Sequence, residues 1–566
     1  MRTVLLPIAV LLGLGTFALS QNRPVAGRPN QNHKISRDLQ SIQSDGMVNV
    51  IVQFNQAPTE RHHQIVSDRG GRLRTELHAI KAGAYAVPAS RLEDLADDPD
   101  VAYVSPDRPV HAFMDLAGAA TNASIEYQYG YDGTGITVAT VDSGIMDSHP
   151  DFRDSSNRSR VVYAENFNQN EGNDYFDRYG HGSHVAGILG GDASQSTGSN
   201  YTRTFRGIAP KVRFVNLRVL DRQGTGTDSM VINAIQRAIQ LKSTYNIRVM
   251  NLSLGRPVYE SYLKDPLCQA VEAAWKAGIV VVVAAGNMGR TSIAGTNGYG
   301  TITAPGNDPY VITVGAMKTM GTPTRNDDLI ASYSSKGPTS IDQVVKPDLV
   351  APGNKIVSTM PAGLALTNAY PSNKVLNSYY IKGGSAQGSD YYFQLSGTSM
   401  ASPIVSGASA LLLQANPNLT PDQVKARLMR TATKNFPTSS VAVDPVTGQV
   451  FTSYYDIFTV GAGYLDIAGA LKDQTSFNGQ ALSPTAVWNS STKSATLSCA
   501  GSICAAGSLW GTGSLWGTFM FTNGTSSLWG SGSLWGDGSL WGDGSLWGTS
   551  TAVLLESADV FLLGEN

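Results

Sequence analysis

Between Ile136 and Ala285 the chain alternates short, β-branched apolar runs with longer amphipathic ones, and this alternation restricts it to a narrow class of folds. Ile136–Val141, Arg213–Leu220, Arg248–Leu254 and Ile279–Ala285 read as strands, while His181–Leu189, Ser229–Leu241 and Tyr262–Ala277 between them read as helices. A strand that is apolar along nearly its whole length is buried on both faces, and a helix after it returns the chain to start the next strand in the same direction. The expected fold class is therefore α/β, a doubly wound, mostly parallel sheet with helices on both faces. Such sheets bind ligands beyond the carboxyl ends of their strands, which makes residues there the first candidates for chemistry.

Three positions stand out. Asp142 follows the first strand in Val-Asp-Ser-Gly-Ile, and His181 opens a helix in Gly-His-Gly-Ser-His-Val-Ala-Gly. Ser399 lies in Gly-Thr-Ser-Met-Ala-Ser-Pro, just before an apolar helix that runs to Leu413. Each has an ordinary explanation when taken alone: a turn or cap aspartate, a structural histidine, a serine N-cap. Metal binding by His181 with His184 lacks both the glutamate of the zinc-protease helix and a nearby third ligand. The conjunction means more than the parts. A serine hydroxyl is a weak nucleophile, a histidine can take and return its proton, and an aspartate can hold that histidine in one tautomer.

In this order the three segments resemble the triad motifs of the subtilisin-like serine peptidases, the subtilases. The resemblance covers roughly Gly135 to Leu471, about 60% of the chain, and the notable change is Ser183 where threonine is usual. It implies a secreted serine endopeptidase with a subtilisin-like fold and Asp142, His181 and Ser399 as its triad. Ala284-Ala285-Gly286-Asn287 resembles the oxyanion-hole segment, with Asn287 as side-chain donor beside the Ser399 backbone N–H. Ser253-Leu254-Gly255 resembles the strand that pairs with substrate and forms one pocket wall, and Ala284, Ala285 and Gly286 resemble the opposite wall. Thr303, aligned through Thr-Ala-Pro-Gly, falls near the pocket floor. The chemistry implied requires no cofactor. Asp151 falls where some subtilases have a calcium ligand, but the loop Gly191–Gly207 does not resemble the family's calcium loop, which leaves structural calcium unassigned.

The rest of the chain reads as appendages. Residues 1–20, with Arg2 before the apolar stretch Val4–Leu19, read as a removable export signal, and residues 21–47 as a polar, unstructured linker. Residues 48–113 form a small α+β unit, with strands at Val48–Phe54 and Val101–Val104 and a short helix from Ser90. This unit resembles the inhibitory propeptide of subtilases, which implies cleavage near Phe113. The peptidase domain then spans 114–471. Residues 472–566 form an extension in which Ser-Leu-Trp-Gly recurs six times, either a flexible tail or an aromatic platform for a surface or polymer.

Composition adds exclusions. A net charge of -2 gives no electrostatic case for a nucleic-acid partner. After the signal no apolar run is long enough to span a membrane, so the expected location is extracellular, with periplasm or cell surface as variants. The expected partners are protein or peptide substrates and the chain's own propeptide. Three cysteines cannot frame the fold. Cys268 reads as a buried small hydrophobe, and Cys499 with Cys504 as a short disulfide loop.

Overall fold

A computed structural model describes residues 34–36, 39, 46–112, 130–168, 171–291, 296–322, 325–444, 447–489, 494–498 and 564–565. The export signal, Phe113, Cys499, Cys504 and the Ser-Leu-Trp-Gly repeats lie outside the described residues.

The N-terminal unit is an antiparallel sheet of β1 (Met47–Phe54), β2 (Arg72–Leu77), β3 (Ala82–Pro88) and β4 (Val101–Pro106), in the order β2-β3-β1-β4. Alternation along β1 sends its side chains to two different cores. Val50, Val52 and Phe54 pack with Val66 and Leu95 in the unit's own core. Ile51, together with Leu77, Ala82 and Ala84, joins the core of the main body. The next strand, β5 (Pro109–Ala112), has left the sheet and lies on the main body.

The main body is built on β6 (Thr137–Asp142), β7 (Val161–Asn166), β8 (Arg213–Arg218), β10 (Ile247–Leu252), β12 (Val280–Ala284), β13 (Ile312–Lys318), β14 (Leu329–Ile330) and β15 (Leu349–Pro352). The short strands β9 (Thr225–Thr227) and β11 (Leu254–Gly255) lie outside this sheet. The order is β14-β13-β12-β10-β6-β8-β7, with β15 also on β13, and every pairing is parallel except β13 with β14. Helices His181–Gly190, Asp228–Tyr245, Pro266–Lys276 and Thr398–Ala415 flank it. The fold is thus the doubly wound α/β arrangement expected. From β6 the chain goes out to the edge strand β7, returns to β8 beside β6, and then crosses to β10 on the other side of β6. That reversal opens a crevice between the carboxyl ends of β6 and β10. Val138, Val141, Val249, Leu252, Val281 and Val283 are fully buried along these strands, as their unbroken apolar sequence demands.

Element ends differ from expectation by a few residues. The third helix begins at Pro266, because Asp265 caps it by accepting from the backbone N–H groups of Leu267 and Cys268. Cys268 is buried on that helix, and burial pushes its thiol pKa up, consistent with a packing role.

Two boundaries need correction. Within the stretch read as linker, Ile35 forms a parallel bridge to Val104 and is buried with Leu39 in the N-terminal unit's core, so these two apolar residues order what their polar neighbours would not. At the other end, the body does not stop at Leu471. Phe477 and Ala481 join the main core, and Ser483 donates to Asp348 Oδ1 at 2.5 Å inside a buried cluster with Lys425 and Lys346. Farther on, Glu565 is also buried on the body. Its carboxylate meets Arg290 at 2.8 Å and Lys318 at 3.4 Å, and Asn354 Nδ2 donates to its backbone oxygen at 3.0 Å. The segment Pro361–Asp390, whose role the sequence left open, packs beside the His181 helix. The backbone N–H groups of Ala365 and Leu366 donate to the carbonyls of Arg178 and Tyr179 just ahead of His181.

Candidate active site

Asp142 ends β6, and the parallel register of β6 with β10 sets the end of β10, and thus Ser253, beside it. His181 is the first residue of its helix, and Gly182 lets that helix start press against the turn after β6. A Cβ on Gly182 would stand 2.2 Å from the Gly144 carbonyl oxygen. In this packing His181 Nδ1 lies 2.8 Å from Asp142 Oδ1, with both side chains buried. A carboxylate can only accept here, so Nδ1 carries the hydrogen and Nε2 is left as the basic nitrogen.

Ser399 is held by a different device. Its helix contains Pro403, which has no N–H, so the Ser399 carbonyl four residues earlier lacks its helical donor. Ser253 Oγ donates to that carbonyl at 2.8 Å, and Ser399 Oγ donates in return to the Ser253 carbonyl at 3.2 Å. The strand end and the helix start are thereby stitched together. Gly397, just ahead of the helix, has φ of 147°, a backbone state that favours glycine.

Asn287 lies after β12, and its orientation is fixed. Its Oδ1 accepts from the backbone N–H of Thr398 and from Thr398 Oγ1, both at 3.0 Å. The amide nitrogen Nδ2 is therefore directed away from Thr398, and it is buried without an acceptor although the residue is 9% exposed. A buried donor in this state is costly unless something is to be bound. The Ser399 N–H lies in the first helical turn, where no intrahelical acceptor exists. Thr398 Oγ1 also accepts from the Gly286 N–H at 3.1 Å, which ties the Ala284–Gly286 wall to the serine helix. Thr303 packs on that wall, since its Oγ1 donates to the Ala285 carbonyl at 3.2 Å and a Cβ on Gly286 would touch its Cγ2 at 2.9 Å. The Asp142–His181 pair thus stands at the carboxyl end of β6, with Ser253, Leu254 and Gly255 after β10, and Ala284, Ala285, Gly286 and Asn287 at the end of β12; Ser399 is bonded to Ser253, and Thr303 to Ala285.

Three features escaped the sequence. Asp177, four residues before His181, is buried and organises the loop. It accepts from the N–H groups of Tyr179, Gly180 and Ser183 and from Ser143 Oγ, at 2.7 to 3.0 Å. Burial raises its pKa, and these donors oppose the rise. An aspartate followed at short range by Gly-His is a cap pattern that could have flagged it. Asp177→Asn should turn an amide N–H2 toward the Ser183 N–H and lower unfolding stability by about 1–3 kcal/mol, read from urea denaturation. The second feature is Thr398, noted only as part of a motif. The third is β9, the Thr-Gly-Thr strand across the groove from β11.

Between them lies the chain's own β5. Leu254 and Gly255 pair antiparallel with Ala112 and His111, and Thr225, Gly226 and Thr227 pair antiparallel with His111, Val110 and Pro109 on the other side. A segment of extended chain therefore fills the groove beside Ser399 as the middle strand of a three-stranded sheet.

The metal readings find little support. His184 is buried with Nε2 donating to the carbonyls of Ile356 and Phe393, and burial pushes its pKa down to about 3, so it is a neutral structural residue. Both carboxylate oxygens of Asp151 are engaged by protein donors. Its Oδ2 accepts from Tyr392 OH at 2.7 Å, and its Oδ1 accepts from Ser194 Oγ at 2.9 Å and the Gln195 N–H at 3.1 Å. The hydroxyl of Ser183 accepts from the Met146 N–H at 2.9 Å, a task that serine or threonine performs equally.

Known proteins resemble this chain. The model of the subtilase family matches residues 133–448. Serine protease AprX of Bacillus subtilis is 35% identical over 401 residues, which cover 68% of this chain and 83% of that protein. Subtilisin E of Bacillus subtilis is 32% identical over 65% of this chain and 80% of its own length. An extracellular serine proteinase of Thermus sp. is 31% identical over 63% of this chain and 72% of its own length. Among solved structures, fervidolysin from Fervidobacterium pennivorans, described as a keratinolytic enzyme related to subtilisin, superposes with a TM-score of 0.56 at 22% identity. That match covers 79% of this chain but 63% of fervidolysin, and it speaks to the fold alone.

Proposed function

Because the chain belongs to the subtilase family of serine endopeptidases, we propose that Ser399 is its nucleophile, His181 its proton carrier, Asp142 the orienting carboxylate and Asn287 the side-chain donor of its oxyanion hole. Ser399 Oγ attacks the peptide carbonyl carbon as its proton passes to His181 Nε2. Asp142 stabilises the imidazolium without taking the proton. The carbonyl oxygen, now carrying the negative charge, accepts from Asn287 Nδ2 and the Ser399 N–H. His181 then protonates the leaving amine as the C–N bond breaks, and a water activated by the same nitrogen hydrolyses the acyl-enzyme. No step calls on a cofactor.

The observation that carries this reading is the buried, acceptor-less Nδ2 of Asn287 in the crevice that holds Ser399 and the Asp142–His181 pair. An active-site-directed fluorophosphonate tests it. The labelled peptide should contain Ser399, and N-terminal sequencing of the labelled enzyme should begin just after Phe113. Label on another serine would overturn it, and an active enzyme that begins at Gln21 would overturn maturation near Phe113.

The same reading makes the enzyme a zymogen. Residues 48–113 act as an inhibitor in cis, with β5 held in the substrate groove until cleavage near Phe113. The leading 20 residues, and a Thermus relative named as extracellular, support export. Recognition through backbone pairing at Leu254–Gly255 and Thr225–Thr227 depends little on side chains, which favours broad specificity. Thr303 narrows the pocket between the walls. In matched peptides that differ only in the residue before the bond, Thr303→Gly should raise kcat/KM for tryptophan relative to leucine by about tenfold. An unchanged ratio would remove Thr303 from the pocket.

A further inference from the structure

The strand β5 is preceded by Arg108, and that arginine enters a site made by the peptidase body. Its Nη1 donates to Glu260 Oε1 at 2.6 Å, and the two side chains are 3% and 4% exposed. The guanidinium also lies over the ring of Tyr259, 5.0 Å from its centroid, a stacking geometry that arginine uses well. The second oxygen of Glu260 accepts from Tyr103 OH at 2.6 Å. The Arg108 carbonyl accepts from the Asp228 N–H at 2.7 Å, which fixes where the main chain enters the groove.

Both partners of this carboxylate, Tyr103 and Arg108, belong to the N-terminal unit, whereas Glu260 and Tyr259 belong to the body. Loss of the unit therefore leaves Glu260 with no counter-charge from its former neighbours. Nearby Arg256 does not replace them, because it is already held by Asp228 at 2.9 Å and Asp265 at 2.8 Å. Lys264 Nζ, 5.4 Å from the centroid of the Tyr103 ring, is a second cation of the body, but Glu260, Asp228 and Asp265 against Arg256 and Lys264 still leave an excess of negative charge beside an aromatic face.

Resting on the reading of β5 as a substrate-like segment in the groove, we propose that Glu260 and Tyr259 form a subsite for a basic side chain, arginine above all, on the acyl side of the bond to be cut. A peptide that follows the line of β5 brings its residue just before the paired stretch to this corner. With cleavage after Phe113, Arg108 is the sixth residue before the bond. The enzyme is then tolerant close to the bond but selective for one charge remote from it. Once the N-terminal unit and its Tyr103 have left, the corner opens to solvent, so the electrostatic binding energy there acts mainly on KM and weakens with salt.

The test uses mature enzyme and internally quenched peptides in which a single arginine is moved from the fourth to the eighth position before the bond. A second set carries arginine, lysine, citrulline or alanine at the sixth. Arginine at the sixth position should give kcat/KM about tenfold above citrulline, through KM, with most of the gain lost in 0.5 M NaCl. In Glu260→Gln the arginine-to-citrulline ratio should fall to about one. If that variant fails to mature, the wild-type comparison still decides, since citrulline keeps the shape and removes the charge. Cleavage of every peptide without dependence on charge or position would overturn the subsite and leave Glu260 as a docking contact for the N-terminal unit. Failure to cleave any peptide would instead refute the protease reading beneath it.

Discussion

Ser399→Ala is expected to lower kcat by about 10⁶-fold, a magnitude taken from the corresponding loss in subtilisin itself. The substitution removes the one atom that forms the covalent intermediate, and no neighbour can replace it. His181 stays paired with Asp142, but an activated base without its nucleophile can do little more than polarise water. Folding should be nearly unaffected. The Ser399 hydroxyl contributes a 3.2 Å bond to the Ser253 carbonyl, whereas the stitch that positions the helix runs from Ser253 Oγ to the Ser399 carbonyl and survives the change. The variant should therefore accumulate as an uncut chain with residues 48–112 still seated on the body, unlabelled by fluorophosphonate and inert on casein. Intact mass and thermal denaturation separate this outcome from misfolding. A folded Ser399→Ala enzyme with full activity would remove the serine from the mechanism.

The sequence exposed the parts of this molecule that local rules govern. Apolar strands such as Val280–Ala284 announce a doubly covered sheet because nothing else accommodates them, and the motifs around Asp142, His181 and Ser399 are local strings of residues. What was not legible is what arises only between distant segments. The capture of the Asn287 carbonyl by Thr398 joins residues 111 positions apart, and no pattern within either segment foretells it. β9 is too short, at three residues, to register as a strand without the partner that pairs with it. The C-terminal boundary failed for a related reason. The residues after Leu471 are weakly periodic, yet Ser483 is drawn into the body by the buried Lys425 and Asp348, charges whose burial the sequence conceals.

The pairing of Asp177 with the loop before His181 shows the same division at the site. Asp142, His181 and Ser399 stand out in the sequence because the proposed chemistry demands those residue types. Asp177 and Thr398 were missed because positioning demands only an acceptor or donor at the right place, which many residues could supply. Their interactions nevertheless set the geometry on which the chemistry depends.

That distinction gives the second large effect its form. Asn287→Ala should reduce kcat by about 10²–10³, the range known for loss of the equivalent subtilisin donor, with little change in KM. The amide is aimed at a charge that exists only during reaction, so its removal leaves ground-state binding intact. Stability should fall by about 1–3 kcal/mol, since the Thr398 N–H and hydroxyl lose their acceptor, a cost only partly offset because the variant no longer buries an Nδ2 without one. Asn287→Asp discriminates further. It is isosteric and keeps an oxygen for Thr398, but it places an acceptor where the oxyanion needs a donor, so it should be at least as slow as alanine at neutral pH. If Asn287→Ala instead raised KM and spared kcat, Asn287 would be holding the substrate and not the transition state, and the oxyanion would have to be stabilised by backbone donors alone.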